Sequence, residues 1–281
     1  MLKKLMKYDF REQGREQWPL QLAVVVGGLL AGICLAVIMT AAMTAPEVSQ
    51  PTPMHTILIV LITLIMICIM ASSIITQVLV AKQYYQNCFS DEGYLTFTLP
   101  VKTTDVLVSK LLTGGAWVMI NLIAVLIGLA LFLLVGFGAT PYSAEIAEGF
   151  AELKAEFVRM GLEVNVPWIC IKYFLLLLIS SVAGVAMLQF VVTLGNQLAK
   201  KHKVLCAVAI YLLLSFVISI ASSVLCNGFM LPLYLNPEPS AQQLASAFDT
   251  AMVGSLVLCT VCMGVLFFFT DRTIKTKLNL E

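Results

Sequence analysis

The run Thr56–Ala81 reads TILIVLITLIMICIMASSIITQVLVA, without a single Asp, Glu, Lys, Arg or His. A helix needs about 20 predominantly apolar residues to cross the ~30 Å hydrocarbon layer of a bilayer. Five further runs pass the same test: Leu20–Thr44, Leu111–Gly138, Tyr173–Leu194, Val204–Met230 and Thr250–Thr270. They fill most of the 281 residues, of which 60% are hydrophobic and only 12% charged, well away from soluble composition. The expected fold is all-α, a polytopic membrane protein of six transmembrane helices forming one domain over residues 1–281.

Between the runs no segment is long enough to bury a core of its own, because chains below about 40 residues seldom fold unaided. A catalytic domain on this chain is therefore not expected. Orientation follows from the cations, since Lys- and Arg-rich loops stay in the cytoplasm. Lys3, Lys4, Lys7, Arg11 and Arg15 precede the first run; Lys82, Lys102 and Lys110 lie between the second and third; Lys200, Lys201 and Lys203 lie between the fourth and fifth; Arg272, Lys275 and Lys277 follow the sixth. The other side keeps only Lys154, Arg159 and Lys172, while the acids divide evenly. Both termini are predicted to be cytoplasmic.

The first nineteen residues are patterned: Leu2, Leu5, Met6 and Phe10 fall near one helical face, with Lys3, Lys4, Lys7 and Arg11 around the other. Such a segment suits an amphipathic helix in the headgroup plane; a frayed charged tail is the plainer alternative. Gly14 marks an expected bend before Trp18 and Pro19. A cleaved signal peptide fits less well, despite the small residues Ala41, Ala42 and Ala45, because the first apolar run outlasts the 7–15 residues of a secretory h-region.

Seven of the eight cysteines lie in or beside the runs, and Cys88 lies in a connection, so no disulfide framework is visible. Cys259-x-x-Cys262 has neither a second pair nor a nearby His and reads as packing. No metal site and no catalytic residues are expected.

The connection from Lys82 reads KQYYQNCFSDEGYLTFTLPVKTTDVLVSKLL and alone combines charge, aromatics, a Gly and a Pro in a pattern. The second helix is expected to run past the membrane through Tyr84 and Tyr85 and to end near Ser90–Gly93, where Gly favours termination. A short element carries Tyr94, Leu95, Phe97 and Leu99 to Pro100, which breaks it. Thr103 or Thr104 can cap the next helix, with Asp105 near its positive end. Apolar side chains on a compact cytoplasmic turn suit a knob that inserts into a partner's cleft; headgroup contact and helix termination are the alternative use.

This segment resembles the signature of the type-2 permeases of ATP-binding-cassette (ABC) exporters: an acid-Gly-aromatic-Leu turn, a Leu-Pro, then a helix with a Lys before the third span. The matching residues are Glu92, Gly93, Tyr94, Leu95, Leu99, Pro100 and Lys110. Lys7-Tyr8-Asp9-Phe10, with Arg15 and Pro19, is similar to the start of one bacterial branch of that family. The acidic outer segment 139–172 is larger than in many members. The resemblance implies a permease subunit in a bacterial plasma (inner) membrane, with residues 82–110 as the coupling loop. Its partners would be two copies of an ABC ATPase carrying ATP and Mg, a second permease protomer of the same or a related chain, and the lipid bilayer. In that assignment Tyr94, Leu95, Phe97 and Leu99 form the knob, Asp91 and Glu92 pair with partner cations, and Pro100 fixes the angle. The chain has no phosphate-cradling G-x-x-x-x-G-K-[ST] loop, so ATP hydrolysis is expected on the partner, and no nucleic-acid partner is expected.

The resemblance also places spans two and five nearest the dimer axis. Thr63, Met66, Met70, Ser73 and Gln77 in span two, and Tyr211, Ser215, Ser219, Ser222 and Cys226 in span five, recur at helical spacing. They either line an uncharged path for amphipathic or hydrophobic cargo (peptide, lipid-like molecule or drug) or pack helix against helix. Gly28, Gly32, Gly114 and Gly115 read as close-packing positions. In the outer segment Ile146, Phe150, Leu153, Phe157 and Met160 form one face of an expected amphipathic helix, as lid or cap, and Ser240-x-x-Gln243 reads as a capping box opening helix six.

An ion-driven secondary transporter would place carboxylates or His near the midplane, and these runs have none. An intramembrane hydrolase would need a nucleophile with a base or metal, and His55 and His202 fall at opposite ends of spans. A non-transporting immunity or sensory subunit that docks the same kind of ATPase stays open.

Overall fold

The computed structural model describes residues 2–44, 53–90, 93, 102–138, 144–145, 147–149, 151–152, 155, 166–199, 201–236 and 240–277. Six long helices account for nearly all of them: α1 (Leu2–Thr44), α2 (Pro53–Phe89), α3 (Thr103–Gly138), α4 (Val166–Leu198), α5 (Lys203–Leu235) and α6 (Ala241–Lys277). Each apolar run lies wholly inside one helix, and all six helices are long and apolar enough to cross a membrane. The protein is all-helical and built as a multi-pass membrane protein.

The surface is inverted relative to a soluble bundle. Ile57, Leu64, Ile67, Leu134, Leu205, Leu213, Phe216 and Val224 are exposed, while Gln17, Gln21, Ser72, Thr76, Asn121, Gln189 and Thr193 are buried. Lipid solvates the first group as well as any core would, and polar groups in hydrocarbon must find partners inside.

The chain divides into two compact units. One comprises Met1–Arg11, Val80–Ala116 and Phe157–Glu281. In it α4, α5 and α6 pack on one another, with Met187, Val191 and Leu266 at the core and Phe190, Ala207, Tyr211 and Leu214 around them. Gly195 permits a close α4–α5 approach, since a Cβ there would stand 2.7 Å from that of Ala207. The expected capping box is present: the Ser240 N–H donates to Gln243 Oε1 at 3.1 Å, and the Gln243 N–H donates to Ser240 Oγ at 3.3 Å.

The other unit comprises Glu12–Leu79 and Trp117–Glu156. Val24, Ile69 and Ala124 form its apolar core. α1 and α3 touch backbone to backbone here: a Cβ on Gly28 would lie 2.2 Å from the Gly128 carbonyl oxygen, and one on Gly32 would lie 3.0 Å from that of Leu131. Gly114 and Gly115, in the first unit, likewise sit against Val185, Val80 and Val182.

One expectation changes. α1 runs unbroken from Leu2 to Thr44, through Gly14 and Pro19. Gly14 is not a bend; its missing side chain makes room for the Trp117 ring, 3.3 Å from where a Cβ would sit. Before Leu20 the buried polar side chains are Asp9, Gln13 and Gln17, while Phe10 of the apolar face is exposed. Among the described residues of the outer segment, 144–145, 147–149, 151–152 and 155 are helical; Ile146, Phe150, Leu153, Phe157 and Met160 lie outside the described residues.

Because Gly128 meets Gly28 through backbone atoms that no rotamer change can move, Gly28→Ala should cost at least the ~1–3 kcal/mol typical of overpacking. Gly264→Ala, with nothing within 4 Å of its added Cβ, should be neutral. Thermal midpoints of the two variants in one detergent check the contrast.

Candidate functional site

The connection between α2 and α3 is the candidate site, and the helix ends that carry it are well defined. α2 closes at Phe89; the Ser90 hydroxyl donates to the Gln86 carbonyl at 2.6 Å, and the Gly93 N–H donates to the Ser90 carbonyl at 2.8 Å. Gly93 is required by space rather than by a left-handed backbone, because a Cβ would fall 2.7 Å from the Cys88 carbonyl oxygen. α3 opens at Thr103, where the Lys102 carbonyl accepts the Asp105 N–H at 2.9 Å. Asp105 sits in the first turn, where the helix dipole favours a carboxylate.

Both helix ends rest on a buried floor. Tyr84 and Cys88 of α2, Leu107 of α3 and Ile274 of α6 form an apolar cluster, with Phe89, Val192 and Phe267 packed against it. Thr193 donates to the Gln189 carbonyl at 2.7 Å, so Tyr84, 2.9 Å away, serves as donor to the Thr193 oxygen. Phe89 stands edge-on to Tyr84 and stacks on Tyr85. Burial pushes the Tyr84 phenol well above its ordinary range, with Cys88 adding to the shift and the Thr193 hydrogen bond opposing it. Burial likewise pushes the Cys88 thiol up to about 12, against the pull of Lys110 and with Asp9 adding to it.

A buried polar contact joins α1 to α3. Asp9 accepts from the Lys110 ammonium through one carboxylate oxygen, at 2.5 Å, and from the Ser109 hydroxyl through the other, at 2.6 Å. The ion pair is buried, with side-chain exposures of 7% for Lys110 and 8% for Asp9. Desolvation offsets much of the attraction in such a pair, yet removing one partner strands the other charge.

Of the residues singled out in the connection, Asp91, Glu92, Tyr94, Leu95, Phe97, Leu99 and Pro100 lie outside the described residues. Gly93 is helical and packs closely on the Cys88 carbonyl at the end of α2. Lys110 points inward to Asp9, a partner that sequence reasoning missed. The signal was present: Asp9 begins an i, i+4 series of buried polar residues, Asp9, Gln13, Gln17 and Gln21.

The two soft stripes fall in different compact units. In α2, Thr63 and Met70 are exposed, with the Thr63 hydroxyl bonded to its own Ile59 carbonyl, and Met66, Ser73 and Gln77 are half-buried. The fully buried polar residues of that span, Ser72 and Thr76, occupy the neighbouring face. In α5, Tyr211 packs onto the Met187 cluster, Ser215 bonds the Leu212 carbonyl, Ser219 is exposed, and Ser222 and Cys226 are half-buried. No described residue of α5 is buried, so this helix offers the most uncovered span surface. Among the described residues no three His, Cys, Asp or Glu side chains gather as metal ligands, and the described cysteines are free.

Asp9→Ala should lower stability by about 3–5 kcal/mol, as removal of one partner of a buried ion pair does, while Asp9→Leu combined with Lys110→Met should recover most of that loss. A double-mutant cycle on thermal or denaturant midpoints measures it. Cys88, covered and held neutral, should resist maleimide at pH 7 in native membranes and react fully once the protein is denatured in SDS.

No protein-family model, no curated protein and no solved structure matches the chain.

Proposed function

We propose that this chain is the membrane-spanning permease subunit of an ATP-driven exporter of the type-2 ABC kind, moving an amphipathic or hydrophobic cargo out of the cytoplasm. It resides in a bacterial plasma membrane with both termini cytoplasmic. It hydrolyses nothing itself; two ATPase subunits bind ATP and Mg and dock on residues 91–100, and a second permease, identical or related, completes the translocation unit. ATP-driven closure moves the docked connection and shifts the path from inward-open to outward-open, a population shift set by differential nucleotide affinity.

The observation that carries this reading is the bracing of the connection. A loop meant only to join two spans needs no buried ion pair and no aromatic floor at its roots. Here the last turns of α2 and the first turns of α3 are fixed by Asp9–Lys110–Ser109 and by Tyr84, Cys88, Leu107 and Ile274. Rigid roots let force applied at the turn reach the spans rather than dissipate in the loop. The Glu92-Gly93-Tyr94-Leu95 and Leu99-Pro100 signature supports the same partner class.

A mild-detergent affinity pull-down from native membranes, followed by mass spectrometry and an ATPase assay on the eluate, should recover a chain bearing a Walker A loop. Tyr94→Ala with Leu99→Ala should lose that companion while the protein still inserts. An intact, folded protein that brings down no ATPase would refute the assignment.

A further inference from the structure

Within the unit built from Glu12–Leu79 and Trp117–Glu156, three helices turn polar side chains to a common seam at i, i+4 spacing. α1 contributes Gln13, Gln17 and Gln21, α2 contributes Ser72 and Thr76, and α3 contributes Asn121, all buried. The seam is only partly paired. Asn121 Nδ2 donates to Gln21 Oε1 at 2.9 Å and approaches Ser72 Oγ at 3.4 Å. Both amide atoms of Gln17, the Gln13 carbonyl oxygen, the Gln21 nitrogen and the Thr76 hydroxyl have no hydrogen-bond partner among the described residues, though each is shut off from solvent. Thr76 differs from Thr113, Thr193 and Thr270, which turn their hydroxyls back onto their own helix carbonyls.

Immediately beyond Gln21 the character changes. Val24, Ile69 and Ala124 close the seam with apolar packing, and Gly28 brings the α1 and α3 backbones into contact. The polar stretch thus ends against a dry plug. Unpartnered amides and a hydroxyl raise the free energy of the closed arrangement and lower the cost of any opening that hydrates them. The apolar stretch has the opposite bias, because opening it exposes packed hydrocarbon to water.

We infer that the seam among Gln13, Gln17, Gln21, Ser72, Thr76 and Asn121 is a water-binding cleft, closed in this conformation. It opens from the end where α1 begins and stops blind at Val24–Ile69–Ala124. Water supplies the donors and acceptors that the side chains lack, as ordered internal waters do for buried polar groups elsewhere. The inference does not depend on the exporter assignment, for it needs neither ATPase nor cargo. It places solvent inside a single chain rather than along the soft stripes of α2 and α5.

Single cysteines at Thr76, Gln17 and Ala124 in the full chain, in sealed membrane vesicles of both orientations, give the test. A small charged methanethiosulfonate probes them, and peptide mass spectrometry reads modification at the introduced position. Thr76→Cys and Gln17→Cys should react at least about tenfold faster than Ala124→Cys, as local opening confined to the polar stretch requires, and from the face on which α1 begins. Adding Gln17→Leu and Gln21→Leu should slow Thr76→Cys by about tenfold and raise the thermal midpoint, since the closed state no longer holds unpaired amides. Protection of Thr76→Cys and Gln17→Cys in a folded protein, from either face, would overturn the inference. Equal reactivity at Ala124→Cys would overturn the blind end, and reactivity of Thr76→Cys indifferent to the leucine substitutions would overturn the role of the amides. If the leucine background fails to fold, the comparison of Thr76→Cys with Ala124→Cys still decides.

Discussion

Hydrocarbon offers no hydrogen bonds, and that constraint sorts the side chains of this protein more strongly than hydrophobicity does. In water an apolar face turns inward because water rejects it. In lipid that drive vanishes, and helix association relies on close packing and internal polar contacts. The seating of α1 on α3 uses both. Gly28 and Gly32 bring backbones together without intervening side chains, and Asn121 reaches across to Gln21. An interhelical hydrogen bond in a membrane contributes only about 0.6–2 kcal/mol, so the glycine contacts, which gather dispersion over many atoms, carry the larger share of the packing.

The buried ion pair belongs to a different regime. Asp9, Lys110 and Ser109 sit where α1 and α3 begin, outside the apolar runs, and the carboxylate is satisfied twice. A charge pair of this kind adds little net stability over a well-packed apolar pair, but it tolerates few alternative registers, since a shift of one residue would strand both charges. Its value is positional. The offset of one hundred residues between Asp9 and Ser109 recurs in Gln21 and Asn121, as parallel pairing of two helices in fixed register requires.

The spans were legible because their signal is one of composition over length, which no tertiary contact can override in a helix crossing lipid. The Ser240–Gln243 box was legible for a local reason: both of its hydrogen bonds close within one turn. The inward face of α1 was not. Leu2, Leu5, Met6 and Phe10 mark an apolar face suited to the headgroup plane, and that reading assigns no neighbour to the polar face opposite. Here the partner faces of α2 and α3 are themselves polar or small, so Asp9, Gln13 and Gln17 turn inward. The i, i+4 spacing of Asp9, Gln13, Gln17 and Gln21 marks a polar face in the sequence, but which neighbour that face meets depends on the helix that lies opposite. Thr76 shows the same limit: Ser73 and Gln77, one position along, share its composition and helical period but occupy a less covered face.

Lys110 illustrates how a motif residue acquires a second meaning from the fold. By position it belongs to the segment that resembles a coupling signature, and a loss of coupling on its replacement would ordinarily be taken as a loss of docking. Its ammonium, however, is committed to Asp9, some hundred residues away, inside the floor under the connection. Replacing it alone would strand a buried carboxylate beneath both helix roots and disturb the connection whether or not Lys110 meets a partner. The two roles separate only when Asp9 is changed with it, so that no buried charge is left uncompensated. A coupling defect that persists when Asp9→Leu and Lys110→Met are combined belongs to docking, whereas one that disappears in that neutral double variant belongs to the floor.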